Sequence, residues 1–208
     1  MNPYFLFFSH FLKNPKAVGA AAPLSKWAIE QMVKHFTERD RSTPVRVLEV
    51  GAGIGNITQS IFNHLSPQDH LDIVEINPEY CNFLRLHFGN RENVSIHCLS
   101  ITDWKPLEPY DFVISTLPFN SFHPQFVEQV FSHYKELLNP TGILSYVEYM
   151  GLQDLSLAFS KGLKKQIIHR RKHLLENLQN RCLIEKKQVF GNFLPCNIYH
   201  MSMHKSAC

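Results

Sequence analysis

Two acids and three glycines are spaced to hold a small cationic ligand. The apolar run Val47 to Val50, interrupted by Glu49, enters Gly51, Ala52, Gly53, Ile54 and Gly55, and Asn56 then opens a helical pattern. A strand, a tight turn and a helix N-terminus follow from this order. Glycine tolerates the angles such a turn demands and lets a ligand approach the main chain, while the first helical N–H groups stay free for an anion. The spacing is G-x-G-x-G, whereas dinucleotide sites carry G-x-G-x-x-G. The carboxylate of Glu49 would repel a pyrophosphate and attract a cation. A second acid, Glu75, stands 24 residues after Gly51 at the end of Leu71 to Ile76, where it can accept hydrogen bonds from both hydroxyls of a ribose.

S-adenosylmethionine (SAM) combines an ammonium, a sulfonium, a carboxylate and a ribose, and so meets each of these groups. The expected cofactor contacts are Glu49, Gly51, Ala52, Gly53 and Gly55, then Glu75 and Ile76. Ser100 and Ile101 beyond the third apolar run would meet an adenine edge, with Ser115 at the fourth.

The fourth run ends in Ser115-Thr116-Leu117-Pro118-Phe119-Asn120. A proline beside an aromatic residue exposes the carbonyls of Thr116 and Leu117, which can orient a nitrogen nucleophile, and sets the Phe119 ring beside a cationic centre. Methyl transfer from a sulfonium is an in-line displacement, so alignment by Leu117, Pro118 and Phe119 supplies most of what is needed. A protonated amine must first lose a proton. Glu148 and Tyr149, ending the fifth strand, are the candidates to assist; strands alternate faces, so at most one of them faces the site, and Tyr149 is preferred.

The elements that position these residues alternate. Strands are expected at Val45 to Val50, Leu71 to Ile76, Val94 to Leu99, Tyr110 to Thr116 and Ile143 to Tyr149, with helices between them and a turn at Asn139 to Gly142. Ser25 is the expected N-cap of an earlier helix carrying Ile29, Met32, Val33 and Phe36. Past Gly151 one long helix should reach Asn180, followed by a hairpin of Cys182 to Phe190 and Ile198 to His204 at the sheet edge. The fold is therefore α/β: a Rossmann-like, mostly parallel sheet with helices on both faces, a C-terminal antiparallel hairpin and N-terminal helices. A chain of 208 residues suits one domain, residues 1–44 forming a helical cap and 45–208 the core.

Composition narrows the partners. With 44% apolar residues, 19% charged residues and net charge +3, the chain carries no strong overall attraction for nucleic acid. Five widely spaced cysteines with no C-x-x-C are expected to be reduced, and no apolar run reaches the roughly 18 residues of a spanning helix. Tyr4 to Leu12, Y-F-L-F-F-S-H-F-L, reads either as a brace packed on the domain or as an interfacial helix whose rings enter the headgroup region. Lys161 to His173 holds six Lys or Arg and no acid, suited to anionic headgroups or to RNA phosphate, and the aromatic N-terminus favours the membrane. A cytoplasmic protein, peripheral at the inner face of the membrane, is expected. No metal is expected, since His169 and His173 at i, i+4 have no third ligand.

The chain resembles the class I SAM-dependent methyltransferases over Ser25 to His204. Phe11 to Ala20, Ala22-Pro23-Leu24-Ser25, Ser115 to Phe119, and Asn192-Phe193-Leu194-Pro195 with Tyr199 make it similar to the bacterial phospholipid N-methyltransferases. The resemblance implies a membrane-surface enzyme that methylates the amine of phosphatidylethanolamine, with Glu49, Gly51, Gly53 and Gly55 holding the methionine part and Glu75 the ribose. Ser100 stands where that family carries an acid. The core also resembles the rRNA adenine dimethyltransferases, but Thr116 replaces the asparagine of their N-L-P-Y/F motif and the chain stops before their extra helical domain. Phospholipid is thus the expected acceptor, with RNA or another small-molecule or protein amine as the alternatives.

Overall fold

The computed structural model describes residues 24–192 and 194–204. Tyr4 to Leu12 and most of the N-terminal resemblance motif lie outside them. Seven strands form one sheet in the order β3-β2-β1-β4-β5-β7-β6, where β1 is Arg46–Val50, β2 His70–Glu75, β3 Val94–Cys98, β4 Tyr110–Ser115, β5 Leu138–Tyr149, β6 Leu183–Val189 and β7 Cys196–Met201. The first five run parallel, and β7 is antiparallel to both β5 and β6. The expected hairpin is present, with β7 inside the sheet and β6 as the edge.

Each face of the sheet carries its own core. Helices α1 (Lys26–Thr37) and α2 (Asn56–His64) bring Ala28, Met32, Phe36 and Ile61 against Val47, Ile73, Ile114, Val147 and Ile198. On the other face α4 (Pro124–Leu137) and α6 (Gly162–Cys182) bring Phe126, Val130, Phe131 and Leu175 against Leu48, Val50, Val113, Leu144 and Tyr146. Alternation along β1 and β5 sends successive side chains to opposite cores. Helix α3 (Pro78–Phe88) begins at Asn77, whose side chain accepts from the Glu79 N–H, and Ser25 caps α1 in the same way through the Ala28 N–H.

Three expectations are corrected. Asn139 to Gly142 does not precede β5 but interrupts its pairing: Tyr110 faces Leu138 and Phe112 faces Ile143, so five steps on β5 match two on β4 and three residues are looped out. The long C-terminal helix is two helices, α5 (Leu152–Phe159) and α6, because Ser160 and Lys161 are extended. Cys81, Cys98 and Cys196 are free thiols, whereas Cys182 is disulfide-bonded, so the expectation of reduced cysteines fails for that one; sequence spacing could not show which sulfurs approach.

Candidate active site

The strand order reverses between β1 and β4, and in open α/β sheets the crevice beyond the carboxyl ends at such a point receives ligands. The glycine loop lies there. Gly55 takes a φ of 86° as N-cap of α2, and a Cβ on it would stand 2.6 Å from the Phe88 ring; both facts exclude other residues. A Cβ on Gly53 would instead meet nothing within 4 Å, so the loop borders open space at that point. Ala52 is half-buried, and its carbonyl accepts from the Gly55 N–H at 2.9 Å. Thr116 donates its hydroxyl to the Gly51 carbonyl at 2.6 Å, tying the β4 tip to the loop.

Glu49 is fully buried, and neither of its carboxylate oxygens has a hydrogen-bond partner of normal geometry. Burial pushes its carboxyl up to about 8; Thr58 in the first turn of α2 opposes that shift, and nearby Glu75 adds to it. An unpaired buried carboxylate is costly, which marks it as a group awaiting a cation. Glu75 is also buried but well supplied: one oxygen accepts from the Gly53 N–H at 2.9 Å, the other from the N–H groups of Ile76 at 2.8 Å and Asn77 at 2.9 Å. A carboxylate offers about four lone-pair sites, so two ribose hydroxyls bind there only if the Gly53 N–H is released.

Other expected residues depart from their sequence reading. Ser100 turns its hydroxyl onto its own turn, bonding Thr102 Oγ1 at 2.9 Å, with Ile101 buried beside it. Ser115 is a correction: its hydroxyl is buried and accepts from the Tyr134 hydroxyl at 2.8 Å, so it shapes the β4 tip from below. Phe119 is a second correction. Its ring is fully buried, 4.8 Å from Phe131 and 5.6 Å from Tyr146 between centroids, and so belongs to the core. Leu117 is buried over Gly51, and its carbonyl already accepts from the Phe119 N–H at 2.8 Å, which leaves Thr116 as the freer carbonyl at this tip; Pro118 is half-buried.

At the end of β5 the two candidate proton acceptors separate. Burial pushes the Tyr149 phenol up to about 12, the wrong direction for a base. Glu148 keeps part of its surface open, yet burial raises its carboxyl to about 7, opposed by a Gln179 hydrogen bond at 3.3 Å and by Lys186. Beside it Arg171, nearly buried, donates to the Phe122 carbonyl at 2.9 Å. Asn120, which the fourth tip includes without a role, donates to the Tyr149 carbonyl at 3.2 Å and accepts from Gln153 at 2.6 Å, joining the β4 and β5 tips to α5. No spacing rule could have found Asn120 or Arg171, since their partners lie 29 to 49 residues away. A cleft of about 450 Å³ lined by Arg46, His70, Glu108 and Asp111 opens at the amino ends of the strands, opposite these groups, and serves none of them.

Residues 47–142 match the family described as a methyltransferase domain. The ornithine lipid N-methyltransferase of Singulisphaera acidiphila is 30% identical over 156 residues, which span 72% of this chain and 80% of that protein. The chain belongs to the class I SAM-dependent methyltransferases. Solved members share the fold. The N-methyltransferase NodS from Bradyrhizobium japonicum, in complex with S-adenosyl-L-homocysteine, aligns at TM-score 0.59 and 15% identity over 85% of this chain and 87% of that one. An O-methyltransferase from Bacillus cereus aligns at 0.62 and 13% identity over 93% and 89%. The methyltransferase's cofactor is SAM, and its residues fit that group: an orphaned buried carboxylate for the ammonium, open space at Gly53, and a second carboxylate at the β2 tip. When bound, SAM supplies an electrophilic methyl on sulfonium.

Proposed function

We propose that this methyltransferase transfers methyl groups to the headgroup amine of a membrane lipid, with phosphatidylethanolamine as the acceptor. The observation that carries this is the 30% identity to an ornithine lipid N-methyltransferase, an enzyme named for a lipid amine acceptor. In this reading Glu49 and the glycine loop hold the methionine end of SAM, Glu75 and Ile76 the ribose, and the β3 tip at Ser100 and Ile101 the adenine. Leu117 and Pro118 shape the floor beneath the acceptor, the Thr116 carbonyl orients the amine, and Glu148 accepts its proton.

A second observation supports a lipid surface. Around the α5–α6 junction Leu155, Phe159 and Leu163 are 58%, 83% and 72% exposed, and the exposed Lys161, Lys164 and Lys165 share this junction. Apolar side chains enter the headgroup boundary, and each basic residue adds about 1 kcal/mol near an anionic membrane. Of the six cations between Lys161 and His173, Arg171 is buried and Lys172 pairs with Asp154 at 2.7 Å, so four remain for the surface. Among the described residues no helix is long and apolar enough to cross a membrane, which is compatible with peripheral binding. Thr116 stands where the adenine dimethyltransferases carry an asparagine, so the side-chain amide carbonyl that would accept from an adenine amine is missing, which counts against RNA.

Labelled SAM incubated with the protein and either phosphatidylethanolamine vesicles, ornithine lipid vesicles or total RNA tests the acceptor. Label is expected in the first; label confined to ornithine lipid would move the acceptor, and label confined to RNA would overturn the lipid reading. In a sedimentation assay, vesicles with anionic lipid are expected to pellet the protein. The triple substitution Leu155→Ser, Phe159→Ser and Leu163→Ser should weaken that binding about tenfold or more, since each apolar side chain contributes roughly 1.5–3 kcal/mol when fully buried. Unchanged pelleting by the triple variant would remove this junction from the membrane contact.

A further inference from the structure

Three strands and one helix bring two histidines and a carboxylate together away from the methyl-transfer crevice. Ser145 on β5 faces His200 on β7, and His200 faces Glu185 on β6, so the three lie in one cross-strand row. Helix α1 covers this row and sets the His35 ring 4.5 Å from that of His200. His35, Glu185 and His200 each offer a ligand atom, all within 4.8 Å of one another, and they are the only such trio among the described residues.

The hydrogen bonding of this cluster is incomplete. His200 is fully buried, and its Nε2 has no partner; the buried Nε2 of His35 has no hydrogen bond either. The other ring nitrogen of His200, Nδ1, stands 2.8 Å from the Ser145 hydroxyl. When Nδ1–H donates to that oxygen, Nε2 carries the free lone pair and points at no protein hydrogen. This is the arrangement of a ligating histidine, whose second nitrogen is fixed by an outer partner. The His35 Nε2 lies 3.4 Å from a Glu185 oxygen without hydrogen-bond geometry. Two ligands each about 2.0–2.1 Å from a tetrahedral zinc stand roughly 3.3–3.4 Å apart.

We propose that His35, Glu185 and His200 form a binding site for a divalent transition metal of the zinc class, with water as the fourth ligand, that clamps α1 to the β6–β7 hairpin. A buried, unprotonated imidazole nitrogen has a cost that a metal removes, and two imidazoles with one carboxylate suit Zn²⁺ better than Mg²⁺ or Ca²⁺. Lys34 and Lys187 each approach Glu185 to 3.0 Å and compete with the metal for it. The cation therefore binds against two lysine charges, and removing one should tighten the site.

Chelator-stripped full-length protein titrated with Zn²⁺ by competition calorimetry is expected to take up one equivalent and to gain thermal stability. His35→Gln, at a partly exposed position, and His200→Ala should each weaken binding by more than about 100-fold, Ser145→Ala by about 10- to 100-fold, and Lys34→Gln should strengthen it. The Ser145 arm separates this site from adventitious binding by surface histidines, which would not sense that hydroxyl. Co²⁺ in place of Zn²⁺ should give the visible absorption of a four-coordinate ion, and His35→Gln should remove it. Absence of a stoichiometric Zn²⁺ equivalent, or affinity unchanged in both His35→Gln and Ser145→Ala, would overturn the site.

Discussion

Replacing Glu49 by glutamine is expected to weaken SAM binding by about 30- to 1000-fold while making the unliganded protein more stable at pH 8. The two effects have one origin. Glu49 is fully buried, no hydrogen bond of normal geometry reaches its carboxylate although Thr58 lies close, and burial raises its carboxyl to about 8. Its folded pKa thus lies above the unfolded value of about 4.3, so its contribution to stability is complete below pH 4 and is lost as pH rises to about 8. Glutamine carries no charge to desolvate and escapes that loss. Binding reverses the sign, because an ammonium beside Glu49 needs the ionised form, and truncating one partner of a buried charge pair costs about 2–4 kcal/mol. Cofactor affinity of the parent protein should therefore climb up to about tenfold per pH unit from pH 6 to 8. It should fall above that as the cofactor's α-amino group, titrating at about 7.7–8.0, loses its own proton. Calorimetry across that range, in buffers of differing ionisation enthalpy, reads both affinity and proton release. Equal affinity in the glutamine variant, with the rising limb intact, would detach Glu49 from the cofactor.

The sequence displayed the residues that act locally and concealed those that act through tertiary contact. The glycine loop was legible because G-x-G-x-G after an apolar run permits little besides a strand-turn-helix, and the loop takes positive φ at all three glycines. Glu75 was legible by its distance from the loop. The five parallel strands were legible because buried strands read as apolar runs between helix signals. Phe119 misled for a physical reason: a proline-aromatic pair marks an exposed tip in sequence, but here the turn at Pro118 directs the ring down into Phe131 and Tyr146. Ser115 misled in the same manner, since strand alternation aims its hydroxyl at Tyr134. The C-terminal helix was misjudged because a glycine inside a helical pattern was passed over: Gly162 takes a φ of 54° directly after the extended Ser160 and Lys161, where the two helices part. Asn192 shows the reverse case. It was recognised as part of a motif, and its role emerges only in space, where it accepts from the Ser25 N–H at 2.5 Å and moors the start of α1 to the hairpin loop.

The second large effect concerns the proton. Glu148→Gln is expected to lower kcat by about 10²- to 10⁴-fold, the usual contribution of a positioned general base, with SAM affinity unchanged. Tyr149→Phe should stay within a few fold of the parent, because a phenol raised to about 12 is neutral at working pH and accepts no proton. Alternation along β5 sends Tyr149 toward the α1 core with Val147, and Glu148 toward Tyr146, Gln179 and Arg171. With its carboxyl at about 7, Glu148 is about one-tenth ionised at pH 6 and largely ionised at pH 8. A base works only when ionised, so the rate should rise through pH 7, and the glutamine variant should lose that step while keeping any rise due to the acceptor amine itself. Arg171 supplies a control: its guanidinium favours the ionised carboxylate, so Arg171→Met should move the step to higher pH. Profiles of kcat against pH for the parent and these three variants decide the assignment. A glutamine variant retaining both kcat and the step near 7 would exclude Glu148, and loss of activity in Tyr149→Phe alone would return the role to the phenol.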